Sequence, residues 1–176
     1  TLATVLAKIA APARRDAEEK NTVNRLKQFG LAMHNYYAQN KHLPPRCLTD
    51  RQGNALHSWR TTVLPYVEQK ALYAHIKLEQ PWNSAANQRV MKTVIPVMSD
   101  GGDEPWKTRI RVPVLRGSLW HGEGPPKTFR DVIDGTSNTI AAIHAPADAA
   151  VQWADPQPWI LSEDDPVSSV FGDRDR

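Results

Sequence analysis

Leu26-Lys27-Gln28-Phe29-Gly30-Leu31-Ala32-Met33-His34-Asn35-Tyr36-Tyr37 is the stretch that decides the fold. Val23, Leu26, Phe29 or Gly30, Met33, and Tyr36 or Tyr37 recur at three- and four-residue spacing, with Glu18, Arg25, Lys27 and Gln28 at the opposite positions. That period predicts a helix with one buried face. Toward the N-terminus the pattern runs back through Arg14, and Leu2, Val5, Leu6 and Ile9 repeat it at i, i+3, i+4 and i+7. A long helix over residues 1–40 follows, with Pro12 kinking or beginning it. Its end is expected near Asn40, because Pro44-Pro45 forbids continuation.

Such a helix needs an apolar surface to lie on, and the later part of the chain offers one. Thr108, Ile110, Val112 and Val114 alternate with Arg109, Arg111, Pro113 and Leu115, the period of a half-buried strand, with Pro113 at an edge or bulge. Ser137 to Ala145 and Ala149 to Trp153 read as two more short strands divided by a turn at Pro146. The expectation is an antiparallel sheet of three to five strands, with Leu26, Phe29, Met33 and Tyr36 or Tyr37 packed against Ile110, Val112 and Ile140.

Between these halves, Thr49 to Asn54 reads as a turn or hairpin tip, and Trp59 to Val67 stays ambiguous because of Pro65. Glu68 to Ile76 is helical, and Ser84 is placed to cap a short helix from Ala85 to Met91. The 14 prolines and 9 glycines, with a mean hydropathy of −0.53, indicate fixed irregular connections. The fold class is therefore a loop-rich α+β protein. At 176 residues and 40% hydrophobic, one domain over 1–176 is expected, with a helical region at 1–40 and short helices and antiparallel strands over 41–176.

The net charge of +3 conceals an asymmetry. Residues 131–176 carry 9 acids against 2 arginines, so the first 130 residues stand at +10. Two readings follow: a basic body that meets an anionic partner such as a surface polymer or lipid headgroup, or an acidic tail folded back over it. No basic motif interleaved with aromatics suggests nucleic acid. A lone Cys47 closes no internal disulfide and has no Cys-x-x-Cys or metal spacing around it. No apolar run is long enough to span a bilayer.

The turn Asp134-Gly135-Thr136-Ser137-Asn138 looks most like a site. A nucleophilic Ser137 needs a histidine and an oxyanion hole, for which only His144 or His34 can be nominated. The same residue types also suit a turn whose side chains bond its own backbone while Gly135 takes positive φ, and this structural reading is preferred. A calcium site there lacks EF-hand spacing. The six histidines never stand at zinc-ligand spacing, and no phosphate-binding glycine motif occurs, so no cofactor or metal is implied. Of the six tryptophans, Trp59 and Trp82 are expected to anchor loops to the core. Trp106 and Trp120, flanking the edge strand, are the better candidates for exposure.

Several short motifs in fixed order add a resemblance: Leu26-Lys27-Gln28, Leu43-Pro44-Pro45, Ser58-Trp59-Arg60, Leu64-Pro65-Tyr66-Val67-Glu68-Gln69, Pro81-Trp82-Asn83-Ser84 and Asp134-Gly135-Thr136-Ser137-Asn138. Over residues 13–160 the chain resembles a large planctomycete domain-of-unknown-function family, whose members begin with a prepilin-type methylation segment and end with an H-x9-DG motif. The resemblance implies a pilin-like plan, an extracytoplasmic or surface location, membrane anchoring through a segment absent from this chain, and other pilin-like subunits as partners. It implies structural roles for Trp59, Arg60, Pro81, Trp82 and the Asp134–Asn138 turn.

The departures from that family are specific. Val97-Met98-Ser99-Asp100 stands where Cys-Pro-Ser is common, His144-Ala145 where Glu-Ala is frequent, and Trp153-Ala154-Asp155-Pro156 where Trp-Thr-Lys-Pro is usual. Thr1 falls near the end of the family's membrane helix, as expected of a piece cut for solubility or of a paralogue whose domain follows another soluble one. The H-x9-DG segment is not reached before Phe171-Gly172, through trimming or divergence. The expected function is a non-enzymatic structural or binding module; the alternative is a hydrolase or glycan-binding protein with a site built from dispersed residues.

Overall fold

A computed structural model describes residues 2–171 apart from Glu123 and Ser137, and for residues 2–10, 14, 15, 169 and 171 it describes the backbone alone. Helix α1 spans Leu2–Asn40 and runs through Pro12. It stops as expected: Lys41 turns left-handed at φ 66° with its N–H on the Tyr37 carbonyl, and Pro44-Pro45 follows. At 39 residues it is about 58 Å long. Its described side chains from Pro12 to Asn21 are exposed, and Arg25 ties it to the body by donating to the Ser99 carbonyl.

Strands β1 (Cys47–Thr49) and β2 (Ala55–Ser58) form an antiparallel hairpin around the predicted tip. There Asp50 accepts from the Gln52 and Asn54 amides at 2.9 and 2.8 Å, and Gly53 takes φ 87°. The ambiguity at Trp59 to Val67 resolves to helix α2 (Trp59–Val63), capped by Ser58, and a 3-10 turn at Leu64–Tyr66 that accepts Pro65 in its first turn. Short helices α3 (Lys70–His75) and α4 (Gln88–Met91) follow. Ser84 does not cap α4 with its side chain: its hydroxyl is buried without a partner, and it is the Ser84 carbonyl that accepts from the Asn87 and Gln88 amides.

The class is α+β as expected, a long N-terminal helix with small antiparallel ladders, but the predicted single sheet is broken into pieces. The extended run from Lys107 to Val114 changes partner every two or three residues. Its segments β3 (Lys107–Thr108), β4 (Ile110–Arg111) and β5 (Pro113–Val114) pair in turn with β7 (Val151–Gln152), β6 (Ile143–His144) and β8 (Trp159–Ile160). The first two ladders are antiparallel and the last is parallel. Pro113 has no N–H to extend a ladder. A further short helix, α5, covers Pro166–Phe171.

Helix α1 packs on α2, on the 3-10 turn and on β6, burying Phe29, Ala32 and Met33 against Trp59, Ile110 and Val112. Two expected partners differ. Leu26 lies only at the edge of this core, and Ile140 is 62% exposed because its segment forms no ladder. Phe29 meets Trp59 edge-on at 5.4 Å between ring centres.

Candidate functional site

The family-motif residues expected to be structural are dispersed. Trp59 and Arg60 are both 2% exposed. The Arg60 guanidinium donates to the Ile110 carbonyl at 3.0 Å and to those of Trp153 and Asp155 at 3.4 Å, tying α2 to β4 and to the C-terminal segment. Burial and the neighbouring Arg111 push its pKa down to about 9. The exposed Pro81 offers its carbonyl to Asn87 Nδ2 at 3.0 Å, and the half-buried Trp82 gives its amide to Leu56 at 2.9 Å.

The Asp134–Asn138 turn lies apart, on the surface. Gly135 takes φ 79°, and Asn138 Nδ2 donates to the backbone carbonyl of Asp134. Thr136 is exposed, and Ser137 lies outside the described residues. Of the nominated histidines, His34 stacks on Phe129 at 4.9 Å and His144 bonds Asp100.

Two residues unmarked by any sequence motif hold the central loop. Asn87, fully buried, accepts from the Lys77 amide and donates back to the carbonyls of Lys77 and Pro81. His57, also fully buried, donates from Nε2 to the Gln80 carbonyl at 2.8 Å. A buried polar side chain is stable only when such partners exist, but the partners come from tertiary structure and leave no local signal.

A cleft of about 810 Å³, within the range of ligand sites, opens on the surface. One wall is Leu43 to Thr49, which enters the β1–β2 hairpin; the other is the loop from Leu119 to Lys127. The Leu43 amide bonds the Lys127 carbonyl at 2.7 Å and fixes their separation. Prolines stiffen both walls: Pro44 and Pro45 on one side, Pro125 and Pro126 on the other. Trp120 forms the floor, not the rim. It is 4% exposed, close to Trp59, with its indole N–H on the Ala141 carbonyl at 2.7 Å, which corrects its reading as a candidate for exposure. Trp106 is half-buried, with Lys92 over its ring.

Among the described lining residues, Arg46 and Lys127 carry positive charge and His121 adds an imidazole. Arg46, His121 and Lys127 face Asp131, whose carboxylate is committed to the amide and hydroxyl of Thr128 at 2.6 and 2.9 Å. Those bonds hold the Asp131 carboxyl below its ordinary range. Cys47 also borders the cleft and is in no disulfide.

The sequence model of a family described as "Protein of unknown function (DUF1559)" matches residues 13–105, just over half of the chain. The chain belongs to this family. No curated protein and no solved structure matches it. The DUF1559 match takes in α1 from residue 13 onward, the hairpin wall of the cleft, Trp59, Arg60 and Trp82. It ends before the Leu119–Lys127 wall and before the Asp134–Asn138 turn.

Proposed function

We propose that this domain is a non-enzymatic, extracytoplasmic, pilin-like binding module that holds an extended anionic polymer in the proline-walled cleft. The observation that carries the reading is the cleft itself, whose proline-stiffened walls bring Arg46, His121 and Lys127 to one opening while the carboxylate of Asp131 is spent on Thr128. Stiff walls lower the entropy lost on binding. A positive mouth raises the local concentration of a polyanion.

Helix α1 supports the display half of the proposal. Its described side chains from Pro12 to Asn21 are exposed, as along a stalk in pilin-type subunits, while Phe29, Ala32 and Met33 farther along pack into the core. No described helix is long and apolar enough to cross a membrane, so on this reading anchoring belongs to a segment outside this chain.

Calorimetric titration with anionic oligosaccharides of increasing length tests the proposal. Saturable binding that tightens with length and then levels off is expected, with no binding of neutral oligomers of the same size. Equal affinity for both, or for neither, sinks it.

A further inference from the structure

A second, smaller cavity lies between Ser58, Arg46, Arg60, Arg111, Asp155 and Gln157. Its charge is not balanced. Arg60 and Arg111, 2% and 4% exposed, are two buried cations whose hydrogen bonds go to neutral backbone carbonyls: Ile110, Trp153 and Asp155 for the first, Ala149 and Gln157 for the second. Among the described residues neither guanidinium forms an ion pair with a carboxylate. Asp155 acts on both at longer range, while its Oδ1 accepts the Gln157 amide at 2.9 Å. Arg46 adds a third positive side chain to the lining.

Buried charges in proteins are paired, because an uncompensated ion in a low-dielectric interior costs several kcal/mol. Carbonyl dipoles offset part of that cost. Three guanidiniums against one carboxylate leave a positive excess around a space of about 10 Å³, enough for roughly one water-sized occupant. An oxyanion such as sulfate or a polymer carboxylate is too large for it.

We infer that this cavity is a binding site for a single monoatomic anion, chloride being the abundant example, which serves as the missing counter-ion of Arg60 and Arg111 and locks the C-terminal segment onto the core. Arg46 borders both this cavity and the cleft, while Arg60 and Arg111 line the cavity and not the cleft.

The test is thermal unfolding of the whole chain at constant ionic strength, with chloride exchanged for gluconate. For an ion held with a Kd of about 1 mM, the midpoint rises by roughly 5 °C on going to about 100 mM chloride and then levels off. Gln157→Glu places a carboxylate beside the same cavity; it is expected to abolish the chloride dependence and to unfold, without chloride, near the midpoint of the wild type in high chloride. Bromide in a crystal should give an anomalous peak between Arg60 and Arg111. A midpoint indifferent to chloride, a chloride response that Gln157→Glu leaves intact, or bromide absent from the cavity overturns the inference.

Discussion

His144 Nε2 lies 2.9 Å from Oδ1 of Asp100, so the histidine that stands where the family it resembles often has a glutamate is partnered by a carboxylate from a distant loop. The same oxygen meets Arg25 of α1 at 2.5 Å, and the other oxygen accepts the Arg109 amide at 3.2 Å. One carboxylate thus joins the long helix, the Ser99–Asp100 loop and β6. Burial opposes ionisation of Asp100, but the bond from His144 and the charge of Arg25 outweigh it, and the carboxyl is held below its ordinary value of 3.8.

Asp100→Asn should therefore cost about 1–3 kcal/mol at neutral pH. A depressed carboxyl stabilises above its unfolded pKa, and that contribution is lost as pH falls through the lower folded value. Urea titrations at neutral pH and below pH 3.8 should show the deficit of the variant shrinking in acid. A deficit independent of pH would mean the carboxylate charge plays no part in the clasp.

His57 titrates with the opposite charge logic. Its Nε2 donates to Gln80, while Nδ1 is buried without a partner, so charging the ring places a proton where nothing accepts it. Burial accordingly lowers its pKa from 6.5. The unfolded chain then binds this proton more readily than the folded one, and stability should begin to fall as pH drops through 6.5. His57→Gln, which keeps a donor for the Gln80 carbonyl, should flatten that part of the pH profile; identical profiles would exclude His57 as the source.

The helix-to-core contact is centred on Phe29 and not on Leu26. Phe29 is 1% exposed against Trp59, so Phe29→Ala should cost about 3–5 kcal/mol, and Leu26→Ala distinctly less because Leu26 sits at the core's edge. Denaturant midpoints of the two variants, measured side by side, check the ranking.

The helix was legible because Phe29, Met33 and their neighbours repeat with a helical period, and its end because Pro44-Pro45 leaves no alternative. The hairpin tip was legible in Asp50 and Gly53, residue types that bond or bend their own backbone. The sheet was not. Nothing local in Lys107 to Val114 states that three successive dipeptides pair with three different distant segments, one of them parallel. The cleft was invisible for a related reason: its walls are loops far apart in sequence, brought together by one bond from Leu43 to Lys127. Trp120 was misjudged because flanking an edge strand does not reveal that the Ala141 carbonyl awaits its indole.

Gly135 offers a narrower check on the Asp134–Asn138 turn. A Cβ there meets nothing within 4 Å, so the cost of Gly135→Ala comes from the backbone alone, at φ 79°. About 1 kcal/mol of destabilisation is expected from thermal unfolding. No loss at all would show that this turn adopts another conformation in solution.

The central claim is that the cleft binds polyanions through the charge at its mouth, and Lys127 tests it most directly because its side chain is exposed while its carbonyl carries the Leu43 bond. The measurement is the Kd for an anionic oligosaccharide, taken for the wild type and for Lys127→Glu across a range of salt concentrations. Reversing one exposed charge, at about 1–2 kcal/mol in total, should weaken binding by roughly 5- to 30-fold at low salt. The gap should narrow as salt screens the mouth. A Lys127→Glu variant that binds as tightly as the wild type at low salt would contradict the account.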